Sequence, residues 1–319
     1  MYKSEIVELE EIYSAPIKYY YYKDRYLVQS LLENQNGDTI SVATIKNDFD
    51  AKLFQKNWFK EQFLQNSGNR KVCKDSLEFY WPKETFEFDI EVSKWGEEPK
   101  KHKKDKWLQT TRSGYSLVLR INLSQEHFEL YRSWLKPSWY GEGIFNCTCH
   151  PVSEKDITLG WVRLDLDFET DEVLIEELQT DWLRELNKLA KNLRNADVAK
   201  CKQLLMFENI EGSLIDFWKY YNYMLPISKM WDELFISATL WFVKNELQIK
   251  KVWMHSYETC SLFKDQQNAM PPRSLYTKLP KKMGFVKTEK APSFLQNEVY
   301  LKRYFRKSKR ENIKWFCYE

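Results

Sequence analysis

The stretch that decides the fold reads PISKMWDELFISATLWFVKNEL (Pro226 to Leu247), QIKKVWMHS (Gln248 to Ser256) and, after a loop ending in Pro271-Pro272, RSLYTKLPKKMGF (Arg273 to Phe285). In the first segment Trp231, Leu234, Phe235, Ala238, Trp241 and Phe242 recur at i, i+3, i+4 and i+7, the spacing of one helix face. Ile236, Leu240 and Val243 widen that face, so the helix is expected to be covered on more than one side. Val252 to Met254 follows at the distance a crossover helix leaves before a buried parallel strand. The next helix opens after two prolines, which suit a helix start, and closes at Gly284, a good C-terminal stop.

Upstream, TLGWVRLDLDF (Thr158 to Phe168) and VLIEEL (Val173 to Leu178) flank an acidic turn and read as partner strands. SGYSLVLRINL and GEGIFNCTCH read as further strands, and Ser124 caps the helix QEHFELYRSWL, which stops before Pro137. Between Leu183 and Lys229 two helices are expected, Trp182 to Leu205 and Ser213 to Met224. Near the start, Asn36-Gly37-Asp38 between Tyr26 to Leu32 and Thr39 to Ile45 is a hairpin signal. Phe54, Trp58, Phe59 and Phe63 mark an amphipathic helix, and SLEFYWPKETFEFDIEV reads as extended segments interrupted at Pro82. Val299 to Leu301 reads as a last strand.

Trp95 to Lys106, WGEEPKKHKKDK, carries dense like charge that cannot be buried and reads as an exposed linker. The expected organisation is therefore an aromatic-rich α+β N-terminal region, 1–110, and an α/β domain, 111–319, with a helical insertion at 183–229. Its mixed central sheet would be flanked by helices.

Composition narrows the class. With 49 basic and 46 acidic residues the net charge is +3, too close to neutral to imply a nucleic-acid partner by itself. No run approaches the roughly 18 uncharged apolar residues of a membrane span, and the opening MYKSEIVELEE is too acidic for a signal peptide, so a cytoplasmic protein without a membrane partner is expected. Six cysteines are then expected to be reduced. Cys147, Cys149 and His150 in NCTCH have zinc-binding chemistry, but alternate residues of a strand point to opposite faces and no further Cys or His pair lies near to complete a tetrahedron. No metal is expected.

The order of elements from Pro226 to Phe285 resembles the second half of the GNAT (Gcn5-related N-acyltransferase) fold, in which a helix, a strand and a short helix ending in Gly-Phe complete an acyl-CoA site. Gly160 to Trp182, Pro226 to Leu234 and Leu279 to Phe285 also resemble blocks of an uncharacterised domain of phage and mobile-element polyvalent proteins. The matching residues are Val162-Arg163, Ile175-Glu176-Glu177, Gln179, Asp181, Trp182, Pro226, Lys229 and Trp231, with Thr180 in place of a Ser. This likeness covers roughly the last half of the chain.

The resemblance implies an N-acyltransferase whose central strand carries an acidic base at Glu176 or Glu177; the two point to opposite strand faces, so one of them would face the cleft. Tyr276 takes the place of the thiolate-protonating Tyr, although it precedes Gly284 by eight residues rather than four. His255, just beyond the strand KKVWM, joins the catalytic candidates, and Gln179, Asp181, Trp182, His255 and Tyr257 are expected to line the cleft at the strands' carboxyl ends. Trp182 and Tyr257 would face substrate, and Gln179, Asp181 and Lys229 the cofactor. The glycine-rich turn that binds the CoA pyrophosphate is absent, which implies weak acetyl-CoA binding. The alternative is a non-catalytic module that binds nucleic acid or a host protein, with Arg303 to Arg310 and the interleaved Tyr304 and Phe305 as its surface.

Overall fold

The computed structural model describes residues 1–35, 37–41, 48–64, 71–99, 109–138, 143–264 and 271–319. The chain is mixed α/β and divides into two compact units: Met1–Tyr19 with Glu87–Glu319, and Tyr20–Phe86. The strand that begins at Phe86 belongs to the large sheet. The lysines expected to form a linker lie within 100–108, outside the described residues.

Ten strands are present among the described residues: β1 (Ile17–Tyr21), β2 (Thr39–Ser41), β3 (Lys71–Cys73), β4 (Phe86–Gly96), β5 (Tyr115–Leu123), β6 (Thr158–Asp167), β7 (Glu172–Gln179), β8 (Lys251–Met254), β9 (Val286–Thr288) and β10 (Trp315–Tyr318). Eight of them form one sheet in the order β1-β4-β5-β6-β7-β8-β10-β9. β4, β5, β6 and β7 pair antiparallel in succession, whereas β7 and β8 are parallel, with Glu172 opposite Lys251 and Ile175 opposite Met254. A parallel pair needs a long crossover, and four helices supply it: Asp181–Arg194, Val198–Phe207, Leu214–Ser228 and Trp231–Trp241. β6 and β7 are buried along almost their whole length, which only a sheet covered on both faces requires.

The Trp231–Trp241 helix is covered on more than one side, as its apolar spread predicts: Leu234, Phe235, Ile236, Ala238 and Leu240 are buried, and so are Glu233, Ser237 and Thr239. Each polar member has a hydrogen-bond partner. Thr239 donates to the Phe235 carbonyl at 2.7 Å, Ser237 and Tyr19 share a hydrogen bond at 3.0 Å, and Lys282 donates to Glu233 at 2.6 Å. Gly160 lets this helix approach the sheet, since a Cβ there would lie 2.5 Å from the Phe235 ring and 2.3 Å from the Gln179 carbonyl oxygen. Beyond β8, Leu174, Trp253, Phe263, Phe294, Leu295, Leu301 and Trp315 form one apolar cluster.

Several elements differ from the sequence reading. Pro226 lies in the last turn of the Leu214–Ser228 helix, and the next helix begins at Trp231. A proline is tolerated there because the apolar face of the 214–228 helix, through Phe217, Tyr220, Met224 and Ile227, stays buried up to that turn. Val299–Leu301 is a 3₁₀ turn leading into the Lys302–Arg310 helix, and β10 is the last strand. The described part of GEGIFNCTCH, residues 143–150, forms turns and irregular backbone rather than a strand, with the Asn146 N–H bonded to the Gly143 carbonyl and the His150 N–H to the Cys147 carbonyl. The 182–205 helix is broken in two, because Asp197 caps a second helix by accepting from the Lys200 N–H.

In the 20–86 unit, Tyr26 to Leu32 lies in the Arg25–Asn34 helix, whose Tyr26, Leu27, Val28 and Leu31 are buried. β2 pairs with β3 instead, and Asn36 and 42–47 lie outside the described residues. Asp50 accepts hydrogen bonds from Ser30 and Asn34, and Trp58 stacks on Tyr80 at 5.4 Å.

Candidate functional site

Past Ile175 and Met254 the parallel pairing of β7 and β8 ends, while β7 continues to Gln179. A cleft of about 980 Å³ opens beside this free end of β7. Trp95, Trp161 and Trp231 give it aromatic walls; Arg163, Glu177, Gln179, Arg184 and His150 supply its polar groups. The guanidinium of Arg163 sits 5.6 Å from the Trp95 ring and 5.5 Å from the Trp161 ring and is paired with Glu177.

His150 is the cleft group best placed for proton transfer. Its Nδ1 lies 2.5 Å from Asp181 Oδ2, and its side chain is 28% exposed. Asp181 is almost wholly buried and is held in turn, by Gln179 Nε2 at 2.7 Å and by Arg184 at 2.6 Å, both on Oδ1. Burial would raise the Asp181 carboxyl, but the hydrogen bonds from His150 and Gln179 hold it below its ordinary value. A carboxylate on Nδ1 fixes the ring and leaves Nε2 free to exchange a proton. Thr180 sets this geometry: its hydroxyl accepts from the Leu183 N–H to cap the Asp181–Arg194 helix and donates to the Leu159 carbonyl.

The expected base is placed differently. β7 carries a bulge: Arg163 pairs with Glu177 but Leu164 pairs with Ile175, so Glu176 is an extra residue and simple alternation fails. Both carboxylates consequently approach one cation, with Lys264 Nζ at 3.8 Å from Glu176 and 3.4 Å from Glu177. Glu176 is fully buried; the Thr111 N–H and hydroxyl donate to it at 2.7 and 3.0 Å, and His255 Nε2 lies 3.5 Å away. Burial opposes its ionisation, yet His255, Lys264 and Thr111 together hold its carboxyl down to about 2. Glu177 faces the cleft, and Lys264 and Arg163 also hold it below its usual value despite burial. Carboxylates held below their ordinary value are weak bases near neutral pH.

His255 is fully buried, 2.9 Å from the Thr111 hydroxyl, 3.2 Å from that of Thr259 and against the Trp315 ring. It does not line the cleft. Trp182 is also internal, packed on Tyr131 and Phe145 and donating to Tyr220 at 3.0 Å. Tyr276 is buried beside Cys260, and burial raises its hydroxyl well above the ordinary value, so it remains protonated but lies behind the cleft wall formed by Leu275. Tyr257 packs under Arg273, and Lys229 caps the C-terminus of the Leu214–Ser228 helix rather than opening a helix. Of the nine candidates, Gln179 and Glu177 line the cleft and Asp181 lies directly behind His150.

His150 is not among the proton-transfer residues the sequence points to, because NCTCH reads as a strand and the structure makes it a turn. The signal was there in the Gln179 and Asp181 candidates, whose side chains converge on that histidine. The turn also brings the sulfurs of Cys147 and Cys149 together as a disulfide, where reduced cysteines were expected. Tyr304 and Phe305, expected as a stacking surface, pack on Phe263.

The residues present do not fit a CoA pyrophosphate in the usual pose. The helix after β7 starts at Thr180-Asp181 with a carboxylate in its first turn and no glycine, so the N-terminal dipole is already complemented by an anion. No family model matches the chain, and neither curated proteins nor solved structures give a match. Among the described residues, no helix is long and apolar enough to cross a membrane.

Proposed function

We propose that the chain is a GNAT-like N-acyltransferase with an atypical donor site, in which His150 is the general base. The observation that carries the reading is the coincidence of two features: a cleft beside the free carboxyl end of β7, and an imidazole oriented by a buried carboxylate in its wall. Open sheets take ligands where strand ends separate, and acyl transfer to an amine needs one group that first takes and then returns a proton.

In this reading the amine nitrogen attacks the thioester carbonyl, and its proton passes to His150 Nε2. The C–S bond then breaks, and the imidazolium gives that proton to the departing thiolate, so the products are an amide and a free thiol. Asp181 keeps the ring in place and stabilises its charged form. Trp95, Trp161 and Trp231 form the walls for the donor's acyl and thiol arms, and no role is given to a pyrophosphate. Glu176, Lys264 and His255 act as the buried frame that holds the end of β7. The test is acyl transfer from a short thioester, S-acetyl-N-acetylcysteamine, to a panel of amines read by mass spectrometry. His150→Ala should lower turnover by about a hundredfold or more with an unchanged melting temperature, in line with the usual contribution of a positioned base. An equal rate in the variant would overturn the assignment.

A further inference from the structure

We infer that Cys147, Cys149 and His150 form a redox-gated site for a thiophilic divalent ion of the zinc class. The consequence drawn below for turnover rests on the proposed role of His150, but the site itself does not. The two sulfurs and a ring nitrogen of His150 lie within 4.8 Å of one another. Around a tetrahedral zinc, donor atoms stand ~3.5–4 Å apart, so opening the disulfide and slight rotation of the side chains are enough to reach that spacing. The backbone brings the donors to one side: the His150 N–H to Cys147 carbonyl bond at 3.0 Å closes a turn, and the Cys147 and Cys149 Cα atoms are 5.3 Å apart.

A second, independent observation points the same way. Asp181, 2% exposed, holds His150 Nδ1 and is itself braced by Gln179 and Arg184. A carboxylate on the far nitrogen of an imidazole is the support that metal-bound histidines use, because it fixes the ring and makes Nε2 a better donor. Cys149 and His150 both line the cleft, so the fourth coordination position would open into it. Among the described residues no further His, Cys, Asp or Glu joins the three, which leaves that position to water or substrate.

With the disulfide closed, neither sulfur is a thiolate and no ion is held. A phosphine reductant cleaves the bond: phosphorus is oxidised to the phosphine oxide with the oxygen of one water, and two thiols form. Binding of the ion then releases the two thiol protons. Nε2 is now occupied, so the reduced, metal-loaded protein loses its base and the oxidised protein keeps it.

The test uses the full chain under anaerobic conditions, with Co²⁺ as the probe and tris(carboxyethyl)phosphine as reductant. The reduced protein should take up one Co²⁺ per chain and show thiolate-to-cobalt charge transfer together with the strong visible bands of a tetrahedral site. The protein with its disulfide intact should show neither, and Zn²⁺ should displace the cobalt. Cys149→Ser and His150→Ala should each lose the spectrum while retaining the far-ultraviolet circular dichroism of the parent. Absence of charge transfer in the reduced protein, or the same spectrum in the oxidised one, would overturn the site. Loss of the metal site leaves acyl transfer standing, and a bound cobalt without acyl transfer retires only the role of His150 as base.

Discussion

Glu176 keeps its charge inside the protein because donors surround it. The Thr111 N–H and hydroxyl, His255 and Lys264 all reach it, and they outweigh a burial penalty that alone would raise the carboxyl. The linkage has a definite sign. The folded-state value, about 2, is below the ordinary 4.5, so the stabilisation is complete above the unfolded value and is lost as pH falls from 4.5 toward 2. Chemical denaturation of the parent at a series of pH values should show stability falling across this window, and Glu176→Gln should flatten that fall by about one proton's worth of slope. An identical slope in the two proteins would contradict the assignment. Lys264→Met should cost about 3–5 kcal/mol, because two buried carboxylates would lose their shared cation. At this scale the sequence was partly informative. Glu176 and Glu177 stood out as an acidic pair in an apolar run, but a bulge is invisible in the residue pattern, and so was their convergence on Lys264 from the end of the Tyr257–Phe263 helix.

The elements that place the cleft are the Trp231–Trp241 helix, β6, β7 and the cap at Thr180. Helix and strands were legible because burial follows period: the 231–241 segment shows i, i+3, i+4 spacing, and β6 and β7 are short apolar runs around an acidic turn. The start of that helix was not legible, since proline is favoured in a first turn yet here occupies a last one. The Cys147 to His150 turn was hidden for another reason, since alternating small polar and sulfur residues imitate a strand. Gly160→Ala tests the close approach of helix to sheet. Its methyl would meet the Phe235 ring and the Gln179 carbonyl, and overpacking of this kind should cost about 1–3 kcal/mol, measured as a shift of the urea midpoint. Thr180→Ala should cost about 1 kcal/mol through the lost cap, and should also lower turnover because Asp181 is the first residue that the cap positions. Unchanged turnover in a folded Thr180→Ala protein would mean that the start of this helix does not set the site.

At the scale of the molecule, the order of pairing explains where chemistry can occur. In the large unit every pairing with a described register is antiparallel except β7 with β8, and only there do two neighbouring strands point their carboxyl ends the same way. The sequence indicated this parallel pair from helix and strand order alone. It did not indicate which side groups would face the opening, because that depends on the bulge in β7 and on a turn some thirty residues upstream. His255 and Tyr276 have the right place in the chain for such a site, and both are buried. The central claim is that the cleft beside β7 transfers an acyl group with His150 as its base. The most direct measurement is the initial rate of thiol release from S-acetyl-N-acetylcysteamine, with the disulfide intact and with an amine acceptor, in the parent and in His150→Ala. The account predicts release that depends on the acceptor and falls about a hundredfold or more in the variant; acceptor-independent release, or the same rate in both proteins, would contradict it.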